Sequence, residues 1–497
     1  MTTVRIKLSQ AVVDTEQKAE AANPAFNDDL GSLVDLFATT SHAIGQNYPY
    51  YTSYSFLGST LRLNFDDGAF RTYNGVQMVN PNAASGTATA TNSEFVAPGA
   101  LTFSVAGQLN YDYVIGANGL SLMPSQTQAS TLNAIRIATH VPTYSPYYEP
   151  TVGNVSVVLN GALSLSGNGA LRGTLNKLTA TSDKYILSGV IEGQFNVSGD
   201  LNSMGQGLSH GVVEGMLTAY QTAYRDGSFF NVTNTQTQMR STDSIMANLL
   251  RASAGNDDIV VELPARLYED VVVDAGAGND LVTLAGGGGR LHANGGAGND
   301  LVSLLGGSHR IDGGIGLDVV KLAGLRADAT VKAGATAPAF TVTDKSGATN
   351  QLVNVERIVF ADGTLALDID GNAGQAYRLY QAAFNRTPDG GGLGYWIGTM
   401  DKGSSLDSVA ANFINSAEFK GIYGVNPTSQ QLVARFYENI LHRAPEAAGL
   451  AYWSDLLERR AATVAEVLAD ISESGENKAA LVGVIGNGFG FTPYGEG

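Results

Sequence analysis

The chain has 497 residues, more than one compact domain normally holds, and length alone points to about three domains. Its 60 glycines exceed the usual ~7% share, charged residues reach only 15% against a typical ~25%, and the 44% hydrophobic fraction excludes wholesale disorder. A net charge of −17 repels phosphate backbones, so no nucleic-acid partner is expected, and the absence of cysteine excludes disulfides, thiolate zinc sites, iron–sulfur clusters and a cysteine nucleophile.

The first 26 residues carry no apolar run of a secretory signal, and no stretch of ~18 apolar residues occurs anywhere, so no transmembrane helix is expected. Taken alone, that start reads as cytoplasmic. Residues 1–240 read as a mainly β N-terminal domain. VRIKL (4–8), TLRLNF (60–65), LTFSVAGQL (101–109) and NVSVVLNGALSLSG (154–167) alternate apolar and polar residues. Turn signals at 66–68, 74–75, 118–119 and 226–227 separate strands at hairpin-like intervals. One short capped helix is expected over 27–40, and a weak internal echo runs from 155 to 225. This pattern fits a sandwich or a solenoid and does not choose between them. A single helix is expected over 241–251, opening a repeat region that extends to 328.

Four nonamers share one pattern: ASAGNDDIV (252–260), AGAGNDLVT (275–283), GGAGNDLVS (295–303) and GGIGLDVVK (313–321). Each has a small-residue turn, Asp in sixth place and an aliphatic residue in eighth. Glycines permit a tight left-handed turn and let carbonyls face an ion, while Asp supplies hard carboxylate oxygen. The starts are 23, 20 and 18 residues apart, about two nonamers each time. Two nonamers return the chain to the same edge, so Asp257, Asp280, Asp300 and Asp318 should stack at about the ~4.8 Å strand spacing. Residues 251–320 hold ten acids against four bases, so such a stack should not close without cations. An oxygen-only ligand set selects Ca²⁺, and four stacked turns leave gaps for about three ions. The expected ligand turns comprise these four aspartates with Ala254, Gly255, Gly276, Gly278, Gly296, Gly298, Gly314 and Gly316. The opposite edge, carrying His292 and His309, is expected to be a solvated, ion-free turn.

Residues 252–321 resemble the RTX, or haemolysin-type, calcium-binding β-roll; the first nonamer departs from it, with Ala252-Ser253 in place of Gly-Gly. The resemblance implies type I export with an uncleaved C-terminal signal, and folding outside the cell, where calcium is millimolar. It reverses the cytoplasmic reading of the N-terminus.

A strand-rich cap or linker is expected over 329–370, then a helical domain over 371–497. Two of its segments, YQAAFNRTPDGGGLGYWIGTM (380–400) and YENILHRAPEAAGLAYWSDLL (437–457), align at an offset of 57. Each reads as helix, Arg-x-Pro turn and second helix, with a third to follow. Pro stands where a helix could begin, and Asp389 or Glu446 after it favours the helix dipole. Aromatic and Arg residues are expected to lock helix to turn; a sugar-binding surface on Trp396 and Trp453 is the alternative. The segments resemble the bacterial domain-of-unknown-function family 4214, for which surface attachment and glycan contact are implied roles.

Catalytic patterns are weak. HExxH is absent, and His42, His140, His210, His292, His309 and His442 are isolated. One G-x-S-x-G, GLSHG (207–211) with Ser209, lies among Gly/Ser-rich β repeats where chance matches are common. Asp66, Asp67, Glu149 and Glu192 have no spacing that favours glycoside hydrolysis. The expectation is a non-enzymatic, calcium-dependent structural or adhesive protein of a bacterial cell surface, secreted and self-assembling into a homo-oligomer or lattice. A secreted polysaccharide-binding adhesin comes second and an exported hydrolase third.

Overall fold

A computed structural model describes residues 3–7, 10, 51–97, 101–116, 119–139, 155–166, 170–182, 186–200, 212–240, 254–267, 270–335 and 339–494. The helices expected over 27–40 and 241–251, the motif around Ser209, and His42, His140, His210 and Glu149 lie outside the described residues. Two compact units form: Met1–Glu269 with Val273–Gly276, and Asp270–Val272 with Ala277–Gly497.

The first unit is mainly β, as its alternation requires. Its strands pair antiparallel in nearly sequential order: Ser53–Leu57, Thr60–Asn64, Phe70–Asn74, Ser85–Ala97, Leu101–Gly116, Ser130–Thr139, Val155–Leu165, Ala170–Ser182, Ile186–Asp200, Val212–Tyr224 and Phe229–Arg240. Thr3–Lys7 then closes on Phe229–Arg240 antiparallel and on Asp258–Leu263 parallel. A solenoid needs parallel coils, so the meander selects against that alternative for this unit. The sequence echo over 155–225 is the repetition of long antiparallel strands.

The register slips at one level across the sheet, at Ala90/Asn92, Ala106/Gly107, Asn160/Gly161, Leu175/Lys177, Glu192/Gly193 and Leu217/Ala219. Bulges bend strands, and a row of them bends the whole sheet. Close approach explains the glycines there: a side chain on Gly161 would overlap the Thr174 carbonyl oxygen, and one on Gly215 that of Gln194. Phe95, Leu109, Ile135, Leu175, Phe195 and Phe230 are buried.

In the second unit the chain winds as a β-solenoid of about three turns. One wall stacks Leu281–Gly286, Leu301–Leu304, Val319–Leu322 and Arg357–Phe360 in parallel. The other stacks Leu291–Ala297, His309–Ile315 and Thr349–Val353, extended antiparallel by Ala339–Asp344 and Ala329–Ala333. The eighth-place residues Val282, Val302 and Val320 point inward, with Leu284, Leu304, Leu291, Ile311 and Leu352, all at most 3% exposed. This is the burial expected of the nonamer's aliphatic position.

Eight helices follow among the described residues: α1 Asn372–Phe384, α2 Gly390–Asp401, α3 Leu406–Asn415, α4 Ala417–Tyr423, α5 Ser429–Ile440, α6 Ala447–Glu458, α7 Val464–Ser472 and α8 Gly475–Ile485. The first four repeat as the last four at the offset read from the sequence. Side chains of Asp389, Ser405, Ser416, Thr428, Thr463 and Ser474 cap helix N-termini, and Thr428–Gln431 and Thr463–Glu466 complete capping boxes. Pro388 precedes the cap rather than opening the helix, because Asp389 is the cap, its carboxylate accepting from Gly392 N at 2.7 Å. Asn385 and His442, equivalent in the two copies, both turn the chain with positive φ, 49° and 52°.

Arginines tie each copy together as expected. Arg386 reaches Glu418 at 2.7 Å, and Arg443 reaches Glu476 at 2.6 Å and Glu446 at 2.7 Å. More deeply, Arg378 grips Glu473 with two hydrogen bonds of 2.6 and 2.8 Å and donates to the Ile369 carbonyl at 2.6 Å. Trp396 stacks edge-on against Phe413, at 5.0 Å, and both tryptophans pack on the helical core. Tyr395 and Tyr452 stay exposed.

Candidate metal centre

The sixth-place aspartates of the second unit form a ladder. Parallel register places Leu281 beside Leu301 and Leu301 beside Val319, so the residue before each, Asp280, Asp300 and Asp318, falls on one edge. Asp300 Oδ1 accepts from Asp280 N at 2.8 Å, and Asp318 Oδ1 accepts from Asp300 N at 2.9 Å. The three are at most 2% exposed. Asp257 is equally buried, in the first unit.

At Asp300 and at Asp318 one carboxylate oxygen is thereby used by the fold. Oδ2 of Asp300 and of Asp318 is buried with no hydrogen-bond partner. An orphaned buried carboxylate oxygen is costly unless something positive meets it. Beside each lies a small cradle. A methyl at Gly295 would overlap Asp300 Oδ2 and sit 2.5 Å from the Gly313 carbonyl oxygen; one at Gly313 would sit 2.7 Å from Asp318 Oδ2 and overlap the Asn354 carbonyl oxygen. A carboxylate oxygen and a carbonyl oxygen thus lie together on the side of each glycine that a side chain would fill. Among the described residues no group of three or more Asp, Glu or His side chains could hold a metal. A cation held there would need carbonyl as well as carboxylate oxygens, a donor set of the hard-oxygen kind. The residues fit the cation.

The other turn positions have separate duties. Gly278, Gly296, Gly298, Gly314 and Gly316 all carry positive φ, between 98° and 150°, and a side chain on Gly298, Gly314 or Gly316 would overlap a carbonyl of the coil before it. They allow the coils to stack. Gly255 and Gly276, also with positive φ, and Ala254 belong to the first unit. Four contributions went unread in the sequence. Gly295 and Gly313 form the cradles. Asn279 Oδ1 accepts from Asn299 N at 2.8 Å, and Asn299 Oδ1 from Leu317 N at 2.9 Å, a second ladder beside the aspartates. The fifth-place Asn of GND was the available signal.

On the opposite edge Gly288, Gly289, Arg290, Leu305 and Gly306 are exposed, and His309 is what departs from the expected solvated turn. His309 is buried, its Nδ1 2.9 Å from the Leu291 carbonyl and its Nε2 2.8 Å from the Gly306 carbonyl, so it joins coils. His292 Nδ1 accepts from Arg310 N at 3.3 Å.

Burial pushes the Asp300 carboxyl above its ordinary range, partly offset by the hydrogen bond from Asp280. Burial, then the charges of Glu356, Asp300 and Asp312, pushes Asp318 up to about 7 against the hydrogen bond from Asp300. With no cation, both groups bind protons more tightly folded than unfolded. Their contribution to stability is therefore full below the ordinary carboxylate range and falls as pH rises above it, that of Asp318 being lost as pH passes through about 7. Thermal unfolding in chelator should show the roll melting at lower temperature near pH 8 than near pH 5; in calcium the trend should flatten, since cation replaces proton.

Helical repeats joined to a short β-solenoid and a β-sheet unit define a modular protein, and the helical part has relatives. The model of the family described as Domain of unknown function (DUF4214) matches residues 372–422 and 410–481, the first spanning the first structural copy and the second running from within α3 into α8. None of the curated proteins matches the sequence. Among the described residues no helix is long and apolar enough to cross a membrane.

Proposed function

We propose that the chain is an exported, calcium-dependent structural or adhesive protein of a bacterial cell surface, self-associating into a layer, filament or matrix. The observation that carries the reading is the buried aspartate ladder with the unpartnered Oδ2 atoms of Asp300 and Asp318. Asp280, Asp300 and Asp318, with turn carbonyls such as that of Gly313, would hold Ca²⁺ in the gaps between coils, and the ion supplies charge neutralisation that the chain lacks. On this reading, an RTX-type roll stays open in calcium-poor cytoplasm, leaves by a type I route and closes outside. The absence of cysteine and the net charge of −17, which divalent ions can screen or bridge between subunits, support it. Light scattering on the purified chain tests the assembly: chelator should reduce particle size and calcium restore it, and a size indifferent to chelator contradicts it.

A second reading, polysaccharide binding, draws on a groove of about 1040 Å³ in the first unit, lined by Gln77, Thr89, Gln108, Asn133, Ser164 and Arg172 along the row of bulges. Amide and hydroxyl side chains with one cation suit a hydroxyl-rich polymer. The packed tryptophans favour this groove over the helices as the place of contact. Glycan-array binding lost in Asn133→Ala and kept in Trp453→Ala would support it; binding by neither wild type nor variant would dismiss it.

A further inference from the structure

The ladder does not end with the nonamers. Parallel register places Val319 beside Arg357, so Glu356 stands under Asp318 as Asp318 stands under Asp300. The bonds repeat as well. Val319 N donates to the Asp300 carbonyl at 2.8 Å, and Arg357 N to the Asp318 carbonyl at 3.1 Å. Asp318 N donates to Glu356 Oε2 at 2.7 Å, continuing the series of Asp280 to Asp300 and Asp300 to Asp318.

The cradle repeats too. The Gly313 position is bounded by Asp318 Oδ2 and the carbonyl oxygen of Asn354, which replaces the next coil's glycine. Asn354 adopts a positive φ of 50° and is held there by its Nδ2 donating to Asp312 Oδ1 at 2.8 Å. Asp318, 1% exposed, directs its unpartnered Oδ2 at this space. Beside it opens a cleft of about 590 Å³ lined by Glu356, Asp368, Asp370 and Asp401. The neighbouring cation Arg357 is committed elsewhere, pairing with Asp368 and, at 3.1 Å, with Asp401.

We infer that Asp318, Glu356 and the Asn354 carbonyl form an additional divalent-cation site, closing the roll at its helical end with a residue outside the nonapeptide pattern. This rests on the reading that the ladder above it takes calcium. The alternative is that Glu356 only caps the last N–H. Glu356→Gln separates the two, since an amide oxygen can still accept from Asp318 N while the charge is gone.

Native mass spectrometry of the full-length chain, at the calcium concentration that just saturates wild type, should show Glu356→Gln holding one ion fewer with its circular dichroism retained. An equal count overturns the site and leaves the ladder standing. No calcium on wild type removes the ladder reading and this site with it. If the variant does not fold, hydrogen exchange on wild type decides. Calcium must slow the amides of residues 354–357 as well as those of 296–318; slowing confined to 296–318 overturns the proposal.

Discussion

Asp300→Asn should destabilise the roll in calcium and leave it no less stable in chelator. Asp300 borders the gaps on both sides, through the bond from Asp280 and the bond to Asp318. Each ion at about a hundred times its dissociation constant contributes about 2.7 kcal/mol, so weakening two sites removes up to about 5 kcal/mol. In chelator the charge on Asp300 is a burden, raised by burial as its carboxyl is, and an uncharged amide relieves it while keeping an oxygen for Asp280 N. A sign that reverses with calcium is not what a merely structural side chain would give. Chemical denaturation of the variant and wild type, in calcium and in chelator, measures both signs; equal losses in the two conditions would assign Asp300 to packing alone.

Arg378→Ala should cost about 3–5 kcal/mol, independent of calcium, because it strands Glu473 among the helices. Arg378 is 1% exposed and joins α1 to the end of α7, while also holding the Ile369 carbonyl. Lys478, 3.1 Å from Glu473, retains part of the pairing and keeps the loss toward the lower figure. Replacing both partners with apolar residues, Arg378→Met with Glu473→Leu, should recover much of it, as no uncompensated charge remains. Thermal unfolding of the two variants checks this; a single mutant as stable as wild type would show the pair to be solvated.

What the sequence made legible was whatever repeats at short range. The nonamers announced parallel coils, the inward valines and the stacked Asp280, Asp300 and Asp318. The offset of 57 announced two helical copies and the locking role of their arginines, though not the glutamates, Glu418 and Glu476, that the arginines reach. Glu356 escaped because its coil is 38 residues long rather than 18 to 20, swollen by the hairpin Ala329–Ala333 and Ala339–Asp344, and because Glu replaces Asp. The cradle glycines escaped because Gly295 and Gly313 look like turn residues; their role comes from oxygens of another coil. His309 misled, since an isolated His beside glycines reads as surface, whereas parallel stacking surrounds it with carbonyls. In the β unit, alternation marked the strands, but the row of bulges depends on cross-strand register, which no single strand encodes.

The most direct test is a calcium titration of the full-length chain, followed by calorimetry and far-ultraviolet circular dichroism. The account predicts saturable heat, several ions bound and a gain in β-sheet signal, all reversed by chelator. A chain that shows no heat, and the same spectrum and melting temperature from chelator to millimolar calcium, would contradict it.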